Sequence, residues 1–182
     1  MKYVAIVLPT RGLVFTELED AIEKSRAVFT YHNEEIHIQV FRSKDLPIPE
    51  SHNYLTRAAL ATDPDYIWFV EEDTVPPPNA LYDLINADAD IAFIDYAING
   101  WACAAKYKDG EVLWCGLGCT LVKASVFKKL KKPYFRTDKS LSLNEDTYFQ
   151  WLDVPNKYGG QDIWFFSQCR EAGFMIEQVK GE

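Results

Sequence analysis

No apolar run in this chain of 182 residues approaches the roughly 20 needed to cross a bilayer, so no membrane span is expected. Met1-Lys2-Tyr3 is followed by a hydrophobic stretch of only Val4 to Leu8, with no small-residue cleavage site, and does not read as a signal peptide. Histidine is scarce, with three residues and none after His52, which argues against a His/Cys metal site. The four cysteines lack paired-knuckle spacing; only Cys115 and Cys119 are close, and reduced cysteines in the core of a cytoplasmic protein are the expectation. Basic charge is in short supply too. Lys and Arg number 19 against 27 Asp and Glu, a net charge of −8, so the chain lacks the electrostatic footprint of a general nucleic-acid binder. A phosphorylated ligand would have to be held locally, by a metal or a few placed donors.

What the sequence does have is apolar and aromatic content, 48% and 14%, enough to bury a core in one domain. Strand and helix signals alternate. Tyr3 to Pro9 reads as a buried strand ending in the loop Pro-Thr-Arg-Gly, and Phe15 to Phe29 carries Phe15, Leu18, Ile22 and Phe29 at helical spacing. Ile36, Ile38 and Val40 alternate as a second strand. Leu46 to Glu50 reads as a stiff connector, with Ser51 capping a helix over Asn53–Ala61. Tyr66–Val70 is the most strand-like run, followed by a helix over Asn79–Asn86 and a strand over Asp90–Asp95.

This order predicts an α/β fold with a mainly parallel central sheet flanked by helices, and a ligand cleft at the carboxyl ends of the strands. The second half is less regular, with strands expected at Trp101–Tyr107, Val112–Cys115 and Cys119–Val122, then a helix over Ala124–Leu130. Between Pro133 and Tyr158 no clear period survives, and that stretch is read as a mobile loop. The chain is read as one domain of two halves, about 1–98 and about 99–182.

Glu71-Glu72-Asp73 follows the strongest strand directly and precedes Thr74-Val75 and three prolines. Adjacent acids at a strand end repel unless a cation or solvent screens them. Glu71 and Asp73 can point to one side of an extended backbone, where a hard cation such as Mn²⁺ or Mg²⁺ takes one or two carboxylates plus phosphate oxygens. A solvated acidic turn is the competing reading. The segment from Asp65 to Pro77 resembles the DxD segment of GT-A glycosyltransferases, especially those of the family-2 type. The resemblance implies a single-domain nucleotide-diphospho-sugar transferase fold, with Asp73 and Glu71 at the metal and Glu71, Glu72 and Asp73 near the nucleotide. Glu stands here where that family usually has Asp at the first two acids.

Other segments resemble the same family in the same order. Ile6 to Arg11 resembles its first strand and loop, which implies Pro9, Thr10 and Arg11 at the base and first phosphate. Ile48 to Leu60 resembles the helix before the DxD strand, where His52 and Asn53 replace the usual Arg-Asn pair; Asn53 and Thr10 also read as simple caps. Arg42-Ser43 stands where an acid usually binds the base. Leu113 to Phe127 resembles a glycine-lined stretch that approaches sugar and acceptor, which implies acceptor contacts at Gly116 and Gly118. Trp101 and Trp114 offer aromatic faces for a sugar, or fill the core.

Tyr158 to Phe174 combines a glycine turn, an acid and an amphipathic helix stopped by Gly173. Asp162 reads either as a helix-start acid or, by resemblance to the family's acid-bearing glycine segment, as the catalytic base, with Gln161 replacing the usual Glu beside it. Glu145-Asp146 is a competing acid pair without the glycine entry. The resemblance implies transfer of a sugar from a nucleotide-diphosphate donor to an acceptor hydroxyl, with inversion, using Mn²⁺ or Mg²⁺. Two further readings stay open: a non-catalytic nucleotide-sugar-binding module in a larger assembly, which the Glu71, Glu72 and Gln161 departures favour, and a nucleotidyltransferase, for which Thr10-Arg11-Gly12-Leu13 is a poor basic loop. Sugar, acceptor and oligomeric state are not written in the sequence.

Overall fold

A computed structural model describes residues 1–98, 100–144, 148–154 and 159–181. Six strands form the central sheet: β1 (Lys2–Thr10), β2 (Ile36–Lys44), β3 (Tyr66–Val70), β4 (Ile91–Ile94), β9 (Cys119–Lys123) and β12 (Ile176–Val179), in the spatial order β12-β4-β9-β3-β1-β2. Strand β9 alone runs against its neighbours β3 and β4; the pairs β1–β2, β1–β3 and β4–β12 are parallel. The expectation of a mainly parallel sheet with helices on both faces holds.

Strand sequences explain the layering. Along β1, Ala5 and Val7 face one apolar core and Val4, Ile6 and Leu8 the other; along β3, Ile67 and Phe69 alternate with Trp68 and Val70 in the same way. A strand apolar on both sides must be covered on both sides. Helices α2 (Ile48–Leu60) and α4 (Gln161–Glu171) cover one face through Leu55, Ala59, Phe165 and Phe166, while α1 (Thr16–Tyr31) and α3 (Ala80–Asn86) cover the other through Leu18, Ile22, Leu81 and Leu84. Strands β9 and β12 come from the second half of the chain, so both halves build one sheet. Among the described residues no helix is long and apolar enough to cross a membrane, and all four cysteines are free and buried.

Four expectations differ from the structure. Helix α2 begins at Ile48, not Asn53, because Pro49 sits in its first turn, where a missing N–H breaks no helical bond. Ser51 lies inside that helix, its hydroxyl bonded to the Ser43 hydroxyl. The Trp101–Tyr107 strand is interrupted, as β6 (Trp101–Ala102) and β7 (Ala104–Lys106), because the Cys103 N–H turns to the Tyr96 carbonyl at 2.9 Å and to Asp95 Oδ1 at 3.0 Å. Strand β6 pairs with β5 (Ala97–Ile98), and β7 with β8 (Val112–Cys115). The helix at Ala124 is a short 3₁₀ turn, Ala124–Lys128. Within Pro133–Tyr158 the structure has an antiparallel ribbon, β10 (Lys139–Asn144) with β11 (Tyr148–Asp153); Leu141 and Leu143 alternate with Ser140, Ser142 and Asn144, but β11 breaks that period at Tyr148-Phe149 and Trp151-Leu152. Glu145 and Asp146 lie outside the described residues.

Candidate active site

The carboxyl ends of β1, β2 and β3 come together in register, since Thr10 pairs with Lys44 and Val7 with Phe69. Three short acids therefore emerge beside the β1–α1 loop, and each is used differently.

Glu72 is a buried post for that loop. Its carboxylate accepts the Arg11 backbone N–H at 2.8 Å and the Arg11 Nε–H, and its carbonyl accepts the Phe15 N–H at 3.2 Å. Burial works against its charge, but the interactions with Thr10 and Arg11 outweigh it and hold its pKa low. Thr10 shapes the turn, accepting the Gly12 N–H at 2.7 Å. Gly12 has φ +109°, a left-handed conformation that favours glycine, and the Lys44 side chain lies across it, 2.8 Å from where a Cβ would stand. Pro9 is buried in β1 just before this turn. Asp73 is exposed, with Arg11 Nη2 at 3.9 Å.

Glu71 turns inward. Burial, then the charges of Asp162 and Asp73, push its pKa up to about 7, against a long 3.5 Å hydrogen bond from the Tyr96 hydroxyl. Asp162 stands in the first turn of α4, beside Gln161, where the glycine entry at Gly160 leaves its Oδ1 only 2.5 Å from the place of a Cβ. Burial pushes the Asp162 carboxyl up to about 6, although the Ile163 N–H donates to it at 2.8 Å. The Trp114 indole N–H lies close enough to favour the ionised form yet completes no hydrogen bond of its own, a buried donor left without a partner beside an acid.

Gly116 and Gly118 serve a side chain. A Cβ on Gly116 would stand 2.3 Å from the Tyr96 hydroxyl, and one on Gly118 would stand 2.6 Å from the Tyr96 ring and 2.9 Å from Thr74 Oγ1. Tyr96 thus occupies the hollow the two glycines leave, accepting the Gly118 N–H at 3.0 Å while reaching Glu71. The expectation that these glycines open the backbone to acceptor did not foresee Tyr96. Two glycines at spacing two on one side of a segment, with an aromatic just after β4, were the available signal.

The structure gathers Arg11, Glu71, Glu72, Asp73, Gln161, Asp162, Gly116 and Gly118 into the region of one sheet edge. It does not bring His52 to a surface. That ring is 1% exposed, bonded through Nδ1 to the Ile48 carbonyl at 3.0 Å and packed against Phe69 and Phe135, and burial lowers its pKa to about 4. Asn53 spends its carboxamide on the backbone of Phe135, donating to the carbonyl at 2.7 Å and accepting the N–H at 3.2 Å. Trp101 contributes its backbone to β6.

Among the described residues no group of three or more His, Cys, Asp or Glu side chains is assembled to hold a metal ion. Glu71 and Asp73 are nonetheless two carboxylates two residues apart at one edge, the hard oxygen donors that Mn²⁺ or Mg²⁺ would take. With Glu72 committed to Arg11, the protein would offer one or two oxygens, and phosphate and water the rest.

No protein-family model and no curated protein matches the sequence. Solved structures do match. The protein A197 from STIV superposes with a TM-score of 0.60 at 20% identity, over 99% of this chain and 82% of that one. The 4-diphosphocytidyl-2C-methyl-D-erythritol synthase from Anaerococcus prevotii DSM 20548 gives 0.52 at 10% identity, over 100% and 90%, and a second structure of that name gives 0.50 at 14% identity with the same coverage. At these identities the likeness is one of fold, and the chemistry has to be argued from the side chains of this chain.

Proposed function

We propose that the protein is a glycosyltransferase that moves a sugar from a nucleotide-diphosphate donor to an acceptor hydroxyl, with inversion. One observation carries the reading: Asp162, from the far end of the chain, shares an electrostatic site with Glu71 at the carboxyl edge of β3, next to Arg11 and Asp73.

The roles follow from the environments. A base must be ionised yet hold a proton well enough to take one from a hydroxyl, and burial places Asp162 at about 6, close to working pH. The O–H bond breaks as the acceptor oxygen bonds to the anomeric carbon; the glycosidic bond to phosphate breaks, and the nucleoside diphosphate leaves from the opposite face. Arg11, 80% exposed at its side chain, can turn its remaining guanidinium N–H groups to a phosphate while its backbone N–H and Nε–H stay tied to Glu72. Asp73 and Glu71 would hold Mn²⁺ or Mg²⁺, whose chemistry is to neutralise charge growing on the diphosphate. Tyr96 would fix the Glu71 carboxylate.

The names of two structural neighbours, cytidylyl-type synthases, keep nucleotidyl transfer as a second reading, and Lys44 laid over Gly12 favours it by making the β1–α1 loop more basic than its own sequence suggests. A melting-temperature panel of nucleoside diphosphates, with and without Mn²⁺, tests the shared premise, since a ligand of the native state raises the midpoint. Incubation with nucleotide sugars should then release nucleoside diphosphate. Pyrophosphate released from a nucleoside triphosphate would decide for the second reading. Binding without turnover would leave a carrier module.

A further inference from the structure

Basic charge is concentrated in one short segment, where the fold's own acids pair with only part of it. Lys128, Lys129, Lys131, Lys132, Arg136 and Lys139 supply six of the chain's 19 Lys and Arg within residues 128–139, against one acid, Asp138, in a chain of net charge −8. Like charges this dense repel, and an unconstrained segment would spread them apart.

This segment is constrained. Residues 131–138 cross the outer surface between α2 and α4 as a strap fastened from both sides. Asn53 of α2 grips the Phe135 backbone, and Gln168 of α4 accepts the Lys131 N–H at 3.2 Å and donates to the Tyr134 carbonyl at 3.3 Å. Tyr134 and Phe135 are buried beneath it, 3% and 1% exposed. The cations are therefore presented by ordered backbone, at little further entropic cost to a ligand.

A concavity lies on each side. The one toward α2, about 670 Å³, is lined by the cations Arg57, Lys132 and Arg136, by the acids Glu50 and Asp138, and by Asn53 among others. The one toward α4, about 260 Å³, is lined by Lys131, Lys132, Arg136, Lys139, Trp164 and Glu171. Arg136 bonds Asp138 and lies 4.7 Å over the Trp164 ring, and Lys139 bonds Asp153 at 3.2 Å. No ion pair engages Lys131, Lys132 or Arg57 among the described residues. Volumes of this order suit a small molecule and its substituents better than a flat macromolecular face.

The position relates the grooves to the chemistry. Residue Trp164 lies two positions beyond Asp162 on α4, so the groove begins one helix diameter or less from the base, on the other side of the helix. An anion there cannot be the reacting group.

We infer that the cationic grooves flanking residues 131–138 bind an oxyanion, phosphate or carboxylate, carried by the sugar acceptor away from its reacting hydroxyl. This rests on the glycosyltransferase reading for the word acceptor; the anion site itself does not. The probes are glucose 6-phosphate, trigalacturonate and neutral maltotriose, titrated calorimetrically into the whole chain without divalent cation, so that the donor edge stays silent. The charged probes should bind and maltotriose should not, the stronger of the two telling phosphate from carboxylate. Lys131→Gln with Lys132→Gln should weaken that binding roughly tenfold or more, since charge-assisted hydrogen bonds to the oxyanion are lost. Melting temperature and Mn²⁺-dependent nucleoside diphosphate binding should stay unchanged. Arg57→Gln reports on the α2 groove separately. Equal binding by the double variant, no binding by the wild type, or capture of anionic vesicles instead of sugars overturns the inference. Nucleotide binding without anionic-sugar binding sinks this inference alone, whereas the converse sinks the transferase reading and leaves the anion site standing.

Discussion

Burial and then the charge of Asp162 raise the pKa of Glu71: the first turn of α4 holds one carboxyl where its charge is felt by the other at the end of β3. Two half-buried acids that resist ionising together are poised to divide labour between a proton and a cation.

Replacing Asp162 by Asn should cost roughly 10²–10⁴-fold in transfer while leaving nucleoside diphosphate binding intact. In wild type the rate should rise with pH through about 6, as the base ionises. The native protein holds this proton to about pH 6 instead of 3.8, so ionisation costs stability as pH rises between those values. Asp162→Asn should therefore melt no lower than wild type at pH 8. A pH–rate profile and a melting curve check both; a normal rate in the variant removes Asp162 from the mechanism.

Asp73→Asn and Glu71→Gln should each abolish the Mn²⁺-dependent part of nucleoside diphosphate binding and spare any metal-free part, by calorimetry with and without EDTA. Glu72→Gln should behave differently, lowering stability by about 1–3 kcal/mol through the Arg11 loop. Equal metal dependence in all three variants would refute the division of roles.

Gly118→Ala puts a methyl 2.6 Å from the Tyr96 ring, and should cost about 1–3 kcal/mol and lower activity by displacing Tyr96 from Glu71. Combining it with Tyr96→Ala should recover part of the stability but none of the activity. Additive losses in urea denaturation would show that the ring does not fill the glycine hollow.

Buried His52 should make the protein acid-sensitive. Its native pKa near 4 lies below the ordinary 6.5, so the unfolded chain takes up a proton first, and stability present above pH 6.5 falls away as pH drops toward 4. The difference amounts to about 3 kcal/mol. His52→Leu should flatten that part of the curve relative to wild type, as read from urea midpoints at pH 7 and 4.5.

Much of the fold was legible because β1 and β3 carry unbroken apolar runs and α1 a clear helical spacing. The ribbon β10–β11 was not, since its period-2 signal, Leu141 and Leu143 between Ser140, Ser142 and Asn144, spans one short strand and is broken in the partner at Tyr148-Phe149 and Trp151-Leu152. At the site, the acid triplet stood out at the end of an apolar strand, whereas Asp162 was marked only by the resemblance of its glycine-acid segment. Which acid does what depended on partners distant in sequence: Arg11 claims Glu72, and Tyr96 meets Glu71. His52 was misleading for the same reason, because a histidine inside an amphipathic helix looks alike from the sequence whether it faces ligand or core.

Thr137 and Lys139 accept the N–H groups of Gly159 and Gly160 at 2.8 and 3.1 Å, and Gly159 sits so tightly on Lys139 that any Cβ would fall 1.7 Å from its carbonyl oxygen. The root of the ribbon and the start of α4 are thus riveted together, so the backbone that leads into Asp162 takes its position from Thr137 and Lys139.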